Sequence, residues 1–183
     1  MKNFLISSYL IVMVEFIMAS DTLEKKTLQV SSSSFSQGNL IPKKYGYNSQ
    51  NISPQLSWSK GPEGTKSYVV ICLDPDAPGK EPWVHWVVYN IPAIVTLLPE
   101  AIPNEAIYKS MQQGYNDYKQ IGWGGPNPPS GIHRYYFEVY AIDSILSELK
   151  NKIVTKAQLL QVMLQHHTLA KGSCMGTYAA SSK

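Results

Sequence analysis

Cysteine is nearly missing from this chain. Two in 183 residues, Cys72 and Cys174, are too few for a disulfide scaffold. Their separation matches neither a zinc ribbon nor a Cys-x-x-Cys redox pair. Cys72 stands inside Val69-Val70-Ile71-Cys72-Leu73, where a small buried hydrophobe is expected, so free thiols are predicted, although an even count permits one disulfide. Charge is scarce too. Only 16% of residues are charged and the net charge is +3. The densest basic pairs are Lys25-Lys26 and Lys43-Lys44, which falls short of the stripe a nucleic-acid face needs. No apolar run reaches the ~20 residues of a spanning helix, so no transmembrane segment is expected in the mature chain. Neither Gly-x-Ser-x-Gly nor a helix-borne His-x-x-x-His pair occurs, which leaves no recognisable catalytic set. There is no internal repeat.

What is present reads as one globular domain, with 44% apolar residues and enough length to bury a core. The N-terminus differs in kind. Lys2 precedes an apolar run from Phe4 to Met18, interrupted by Glu15, and small residues Ala19-Ser20 follow. This pattern predicts a secretory signal over residues 1–20, with Ile17 and Ala19 at the −3 and −1 positions, and a single domain over residues 21–183. The chain is then expected to be periplasmic or secreted if the signal is cleaved, and cytoplasmic otherwise.

Strands dominate the pattern. A short strand ends at Ser57-Trp58-Ser59. Ser67 to Leu73 reads as a buried strand, Val84 to Ile91 as a second, and Arg134 to Ile142 as a third. Prolines at 75, 78 and 92 stop the first two, because each removes a ladder donor and sets φ. The stretch from Gly114 to Gly131 is rich in glycine and proline and reads as a long irregular segment. A short helix near Asp143–Asn151 is possible. A C-terminal helix is predicted over about residues 156–170, opened by a capping box at Thr155 and Gln158 and closed at Gly172. His166 and His167 then fall near its C-terminal end, where the dipole favours a cation. The expected fold is mainly β: an antiparallel core with peripheral helices and one C-terminal helix.

Three polar clusters interrupt the strands. Asp74-Pro75-Asp76-Ala77-Pro78 ends the first. His85 stands between Trp83 and Trp86. His133 follows Pro128-Pro129-Ser130-Gly131. A lone Asp-Pro-Asp most often satisfies its own turn, and a lone strand histidine is most often a partnered core residue. Three such clusters at strand ends point instead to one pocket with two carboxylates, two imidazoles and proline walls. That inventory suits a small oxyanion better than a catalytic triad. Strand alternation sends His133 and Arg134 to opposite faces, so Arg134 braces the loop rather than lining the pocket. Two Asp and two His match a metal by count, which keeps a metal-dependent hydrolase as a minor alternative.

These motifs together resemble the phosphatidylethanolamine-binding protein family, in its bacterial Raf-kinase-inhibitor-like branch. Asn51-Ile52-Ser53-Pro54-Gln55-Leu56-Ser57-Trp58, Asp74–Pro78, His85–Pro92, Gly114–Tyr118, Gly125–Tyr135 and Gly176-Thr177-Tyr178 carry the likeness in family order. Two motifs differ from many relatives: Gly46-Tyr47-Asn48-Ser49 replaces a Thr-Cys-Asp-Gly segment, and Asn127 replaces a cysteine. The resemblance implies an antiparallel β-sandwich without metal or cofactor. It implies a ligand site made by Asp74, Asp76, Pro78, His85, Pro128 and His133, with the Gly125–Gly131 loop at its rim. The implied ligand is a small anion or a phosphorylated head group such as phosphoethanolamine. The family also implies an alternative role, as an inhibitor or regulator of a partner kinase or protease.

Overall fold

A computed structural model describes residues 26–180. The expected signal over residues 1–20 lies outside them. Eleven elements follow in order: β1 (Lys26–Thr27), β2 (Val30–Ser31), β3 (Leu56–Trp58), β4 (Ser67–Asp74), β5 (Trp83–Pro92), β6 (Leu97–Leu98), β7 (Ile107–Tyr108), β8 (Met111–Gln113), β9 (Ile132–Ile142), α1 (Lys156–Met163) and β10 (Thr168–Ala179). Single 3-10 turns cover Lys43–Tyr45 and Ser147–Leu149. Among the described residues no helix is long and apolar enough to cross a membrane.

Seven strands form the main sheet, in the order β1-β10-β9-β4-β5-β8-β7. Only the short β1–β10 pair is parallel; the rest of this sheet is antiparallel. A second sheet, β2-β3-β6, packs over one face. The alternation along β9 shows how the sequence builds this sandwich. His133, Tyr135, Phe137, Val139 and Ala141 are buried, while Arg134, Tyr136, Glu138 and Tyr140 are more exposed. Between the sheets lie Leu56, Trp58, Tyr68, Val70, Trp86, Trp123 and Phe137. Each such side chain contributes roughly 1.5–3 kcal/mol by leaving water. On the far face, Val69, Ile71, Val87 and Tyr89 pack under Leu146, Leu149, Leu159 and Met163. Thus β4 is buried on both faces, which explains its unbroken apolar run.

The C-terminal helix is real but shorter than its sequence suggests. Thr155 accepts from the Gln158 backbone N–H, and the Gln158 side chain accepts from the Thr155 N–H, so the predicted capping box forms. The helix ends at Met163, and Thr168–Ala179 is the longest strand among the described residues. Gly172 is therefore a strand residue and not a helix cap. A Cβ there would come within 2.0 Å of the Leu28 carbonyl oxygen, so only glycine lets β1 and the following chain cross β10 this closely. His166 and His167 sit past the helix: His167 bonds Asp143, and His166 Nε2 lies 3.4 Å from a Glu148 carboxylate oxygen without a hydrogen bond. Cys72 and Cys174 face Phe137 from the two strands beside β9, both as buried free thiols.

Candidate functional site

Two ladder irregularities shape β5. Cys72 pairs with Trp86 while Leu73 pairs with Val84, so His85 is an extra residue in the ladder. Such a bulge breaks strict alternation and re-aims a side chain. His85 and Trp86 consequently both reach Trp123, with ring centroids 6.3 and 5.7 Å away. The second irregularity lies between Tyr68 and Val70, opposite the stretch that holds Asn90 at φ 55°. Asparagine tolerates that left-handed conformation better than most residues.

At the end of β4, the Asp74 carboxylate is 3% exposed and has its partners arranged around it. One oxygen accepts from the Asp76 backbone N–H at 2.8 Å. The other meets His133 Nδ1 at 2.8 Å. A carboxylate only accepts here, so the proton of that bond belongs to His133 Nδ1. His85 Nδ1 donates to the Gly124 carbonyl at 2.5 Å. The rest of its ring is enclosed by Tyr118, Trp123 and Tyr135. Burial pushes the His85 imidazole below its ordinary value, against the pull of the Gly124 carbonyl and of Asp74.

Asp74, His85 and His133 line one cavity of about 270 Å³. Its walls are Ala77, Pro78, Trp83, Tyr118, Asn127, Pro128 and Pro129. No lysine or arginine is among the lining residues. The fourth polar residue expected here, Asp76, is placed differently. Its carboxylate is held by Arg134, through Nη2 to Oδ1 at 2.6 Å and through Nε and the backbone N–H to Oδ2 at 2.9 Å. That fork holds the Asp76 carboxyl down at about 2. Asp76 is not among the lining residues. It ties β9 to the Asp74–Pro78 turn, so both Asp76 and Arg134 act as braces. The two carboxylates and two imidazoles do not converge as a ligand set, and among the described residues no three His, Cys, Asp or Glu side chains gather as a metal site.

The rim is held from behind. Gly125 donates its N–H to Asn51 Oδ1 at 2.7 Å, and a Cβ on Gly125 would meet the Tyr45 carbonyl at 2.1 Å. Tyr118 donates to the Gly125 carbonyl and stacks on Tyr47 at 4.2 Å. Asn48 donates to Asn127 Oδ1 across the rim. Burial raises the Tyr118 phenol to about 12 and pushes the Tyr135 phenol well above its ordinary value. The Tyr135 hydroxyl is buried with no partner of hydrogen-bonding geometry, although Asp74 lies close enough to raise its pKa further. The indole N–H of Trp83 is also buried without a partner among the described residues. Sequence reading singled out neither Trp83 nor Tyr118 as a wall residue. The available signal was position: Trp83 flanks the bulged His85, and Tyr118 sits in the long glycine-rich segment.

Comparison with known proteins agrees with this architecture. The family model described as phosphatidylethanolamine-binding protein matches residues 31–179. A UPF0098 protein of Methanothermobacter thermautotrophicus is 40% identical over 152 residues, covering 82% of this chain and 98% of that protein. A UPF0098 protein of Chlamydia trachomatis is 43% identical over 155 residues, with the same two coverages of 82% and 98%. Among solved structures, CT736 from Chlamydia trachomatis, described as a putative phosphatidylethanolamine-binding protein homolog, superposes with a TM-score of 0.75. It shares 42% identity, over 85% of this chain and 99% of that one. Escherichia coli YbcL, described as a new member of the mammalian PEBP family, gives the same TM-score of 0.75 at 31% identity, over 85% of this chain and all of that one.

Proposed function

We propose a non-catalytic binding function, and its premise is that the chain belongs to the phosphatidylethanolamine-binding protein family. The cavity at the ends of β4, β5 and β9 takes a small oxyanion, free or as a phosphorylated head group. One observation carries this reading. Two imidazoles, each with Nδ1 committed to a protein acceptor, line a single small cavity whose wall includes Trp83 with its unpartnered indole N–H. Such a rigid set needs little reorganisation to meet a ligand. Nothing lining the cavity resembles an activated nucleophile. Ser130 is exposed and is not among the wall residues.

The size limits the ligand. A volume near 270 Å³ accommodates a phosphate with a short substituent. The reading is tested by calorimetric titration of the protein with inorganic phosphate, in parallel with His133→Ala. The expected result is saturable binding that the substitution weakens by about ten-fold or more, equivalent to ~1.4 kcal/mol. Equal binding by both proteins would place the anion elsewhere and overturn the reading.

A further inference from the structure

Resting on the oxyanion reading above, we propose that this cavity selects an oxyanion that still carries a proton, so that phosphate and phosphomonoesters are taken in preference to sulfate and phosphodiesters, because His85 meets the ligand as an acceptor. The Gly124 carbonyl has no proton to give, so the 2.5 Å contact places the proton of a neutral His85 on Nδ1. The second nitrogen of that ring, Nε2, is then a bare lone pair. Burial at 2% exposure disfavours the charged ring, and Tyr118, Trp123 and Tyr135 pack edge-on or tilted around it. The charged groups facing it are Asp74 and Asp117. Across the cavity His133 is tied to Asp74, and Asp76 is neutralised by Arg134.

The remaining polar atoms are of both kinds. Donors are the Trp83 indole N–H and the Asn127 amide, whose oxygen is already taken by Asn48. Acceptors are His85 Nε2 and the lone pairs that Asp74 has left. A fully ionised oxyanion offers only acceptors, so it would set bare oxygen against the His85 lone pair and the Asp74 carboxylate. A protonated phosphate donates its P–OH to that acceptor and accepts from the others. Leaving a buried acceptor facing another acceptor costs binding steeply. Sulfate has the same tetrahedral shape but no proton near neutral pH. A phosphodiester, the linkage of an intact phospholipid, has none either. A phosphomonoester keeps one proton until its second ionisation, at about pH 6.

The test measures affinities for inorganic phosphate, methyl phosphate, sulfate and dimethyl phosphate at constant ionic strength, at pH 5.5 and 7.5. The proposal expects phosphate and methyl phosphate to bind at least about ten-fold more tightly than sulfate and dimethyl phosphate at the lower pH. The advantage of methyl phosphate should shrink at the higher pH, where its proton has left. His85→Phe should narrow the gap, because phosphate loses the acceptor of its P–OH and sulfate no longer meets an opposing lone pair. Sulfate matching phosphate, dimethyl phosphate matching methyl phosphate, or methyl phosphate tightening toward pH 7.5 would each overturn the proposal in the unaltered protein. If all four anions bind equally well, the oxyanion reading stands and the selectivity is wrong. If none binds, both fall.

Discussion

Asp74 organises the cavity from one buried position. It accepts from the Asp76 backbone N–H with one oxygen and from His133 Nδ1 with the other. Removing it leaves a buried imidazole N–H and a backbone N–H without acceptors. Asp74→Ala should therefore destabilise the protein by about 1–3 kcal/mol and weaken anion binding at the same time. Urea denaturation reads the first effect, and a variant as stable as the parent would contradict the bonding described. Asp76 predicts the opposite balance. Its carboxylate is 26% exposed and Arg134 is 51% exposed, so solvent screens the pair. Asp76→Asn should cost about 1 kcal/mol or less. The pH dependence has a definite sign. A carboxyl lowered to about 2 in the folded chain stabilises it above its unfolded value near 4, and that stability is lost as pH falls through about 2. The parent should thus lose stability between roughly pH 4 and 2 faster than Asp76→Asn, as thermal melts across that range would show. At this scale the sequence was informative about residue type and less so about direction. Asp74, His85, His133, Pro78 and Pro128 were legible as strand-end punctuation. The direction of Asp76 was not, because the proline between the two aspartates breaks the two-residue period that would have placed them on one face.

Elements place these residues through irregularities that a periodic reading overlooks. The bulge in β5 turns His85 and Trp86 toward the same cluster, although strict alternation separates them. Strand β10 escaped for a related reason. Its sequence, Thr168-Leu169-Ala170-Lys171-Gly172-Ser173-Cys174-Met175-Gly176-Thr177, holds few β-branched or large residues. The small ones are demanded by what lies on them: Leu28 over Gly172, and Phe35 with Ile41 over Gly176. Tertiary contact, rather than local propensity, makes this segment a strand. Helix α1 was legible because its capping box is local. The rim loop makes its own prediction. Gly125 touches the Tyr45 and Tyr47 backbone so closely that any Cβ displaces it. Gly125→Ala should cost roughly 1–3 kcal/mol through overpacking. It should also weaken phosphate binding by moving Asn127 and Pro128 out of line. Unchanged affinity in a folded Gly125→Ala protein would show that the rim has no part in holding the ligand.

The whole molecule joins two cores through shared strands. β4 and β5 contribute to both the inter-sheet cluster and the cluster under α1, so neither core can open without the other. Cys72 and Cys174 report on this cooperativity. Burial raises the Cys72 thiol well above its ordinary value and the Cys174 thiol to about 12. A thiol reagent should not label either in the native state, since the thiolate is the reactive form. In denaturant both should be labelled together, at the rate of global unfolding. Rapid labelling of Cys174 alone would mean that β10 detaches separately.

The proposed function requires that His85 and His133 share one ligand. The chain has 4 histidines, and the other two, His166 and His167, lie in the turn between α1 and β10 and are absent from the cavity walls. The direct measurement follows all four imidazoles by nuclear magnetic resonance while inorganic phosphate is added. The account predicts that the ring signals of His85 and His133 shift together along one saturating curve, while those of His166 and His167 stay in place. Movement confined to His166 and His167, or no movement of His85 and His133 at saturating phosphate, would contradict it.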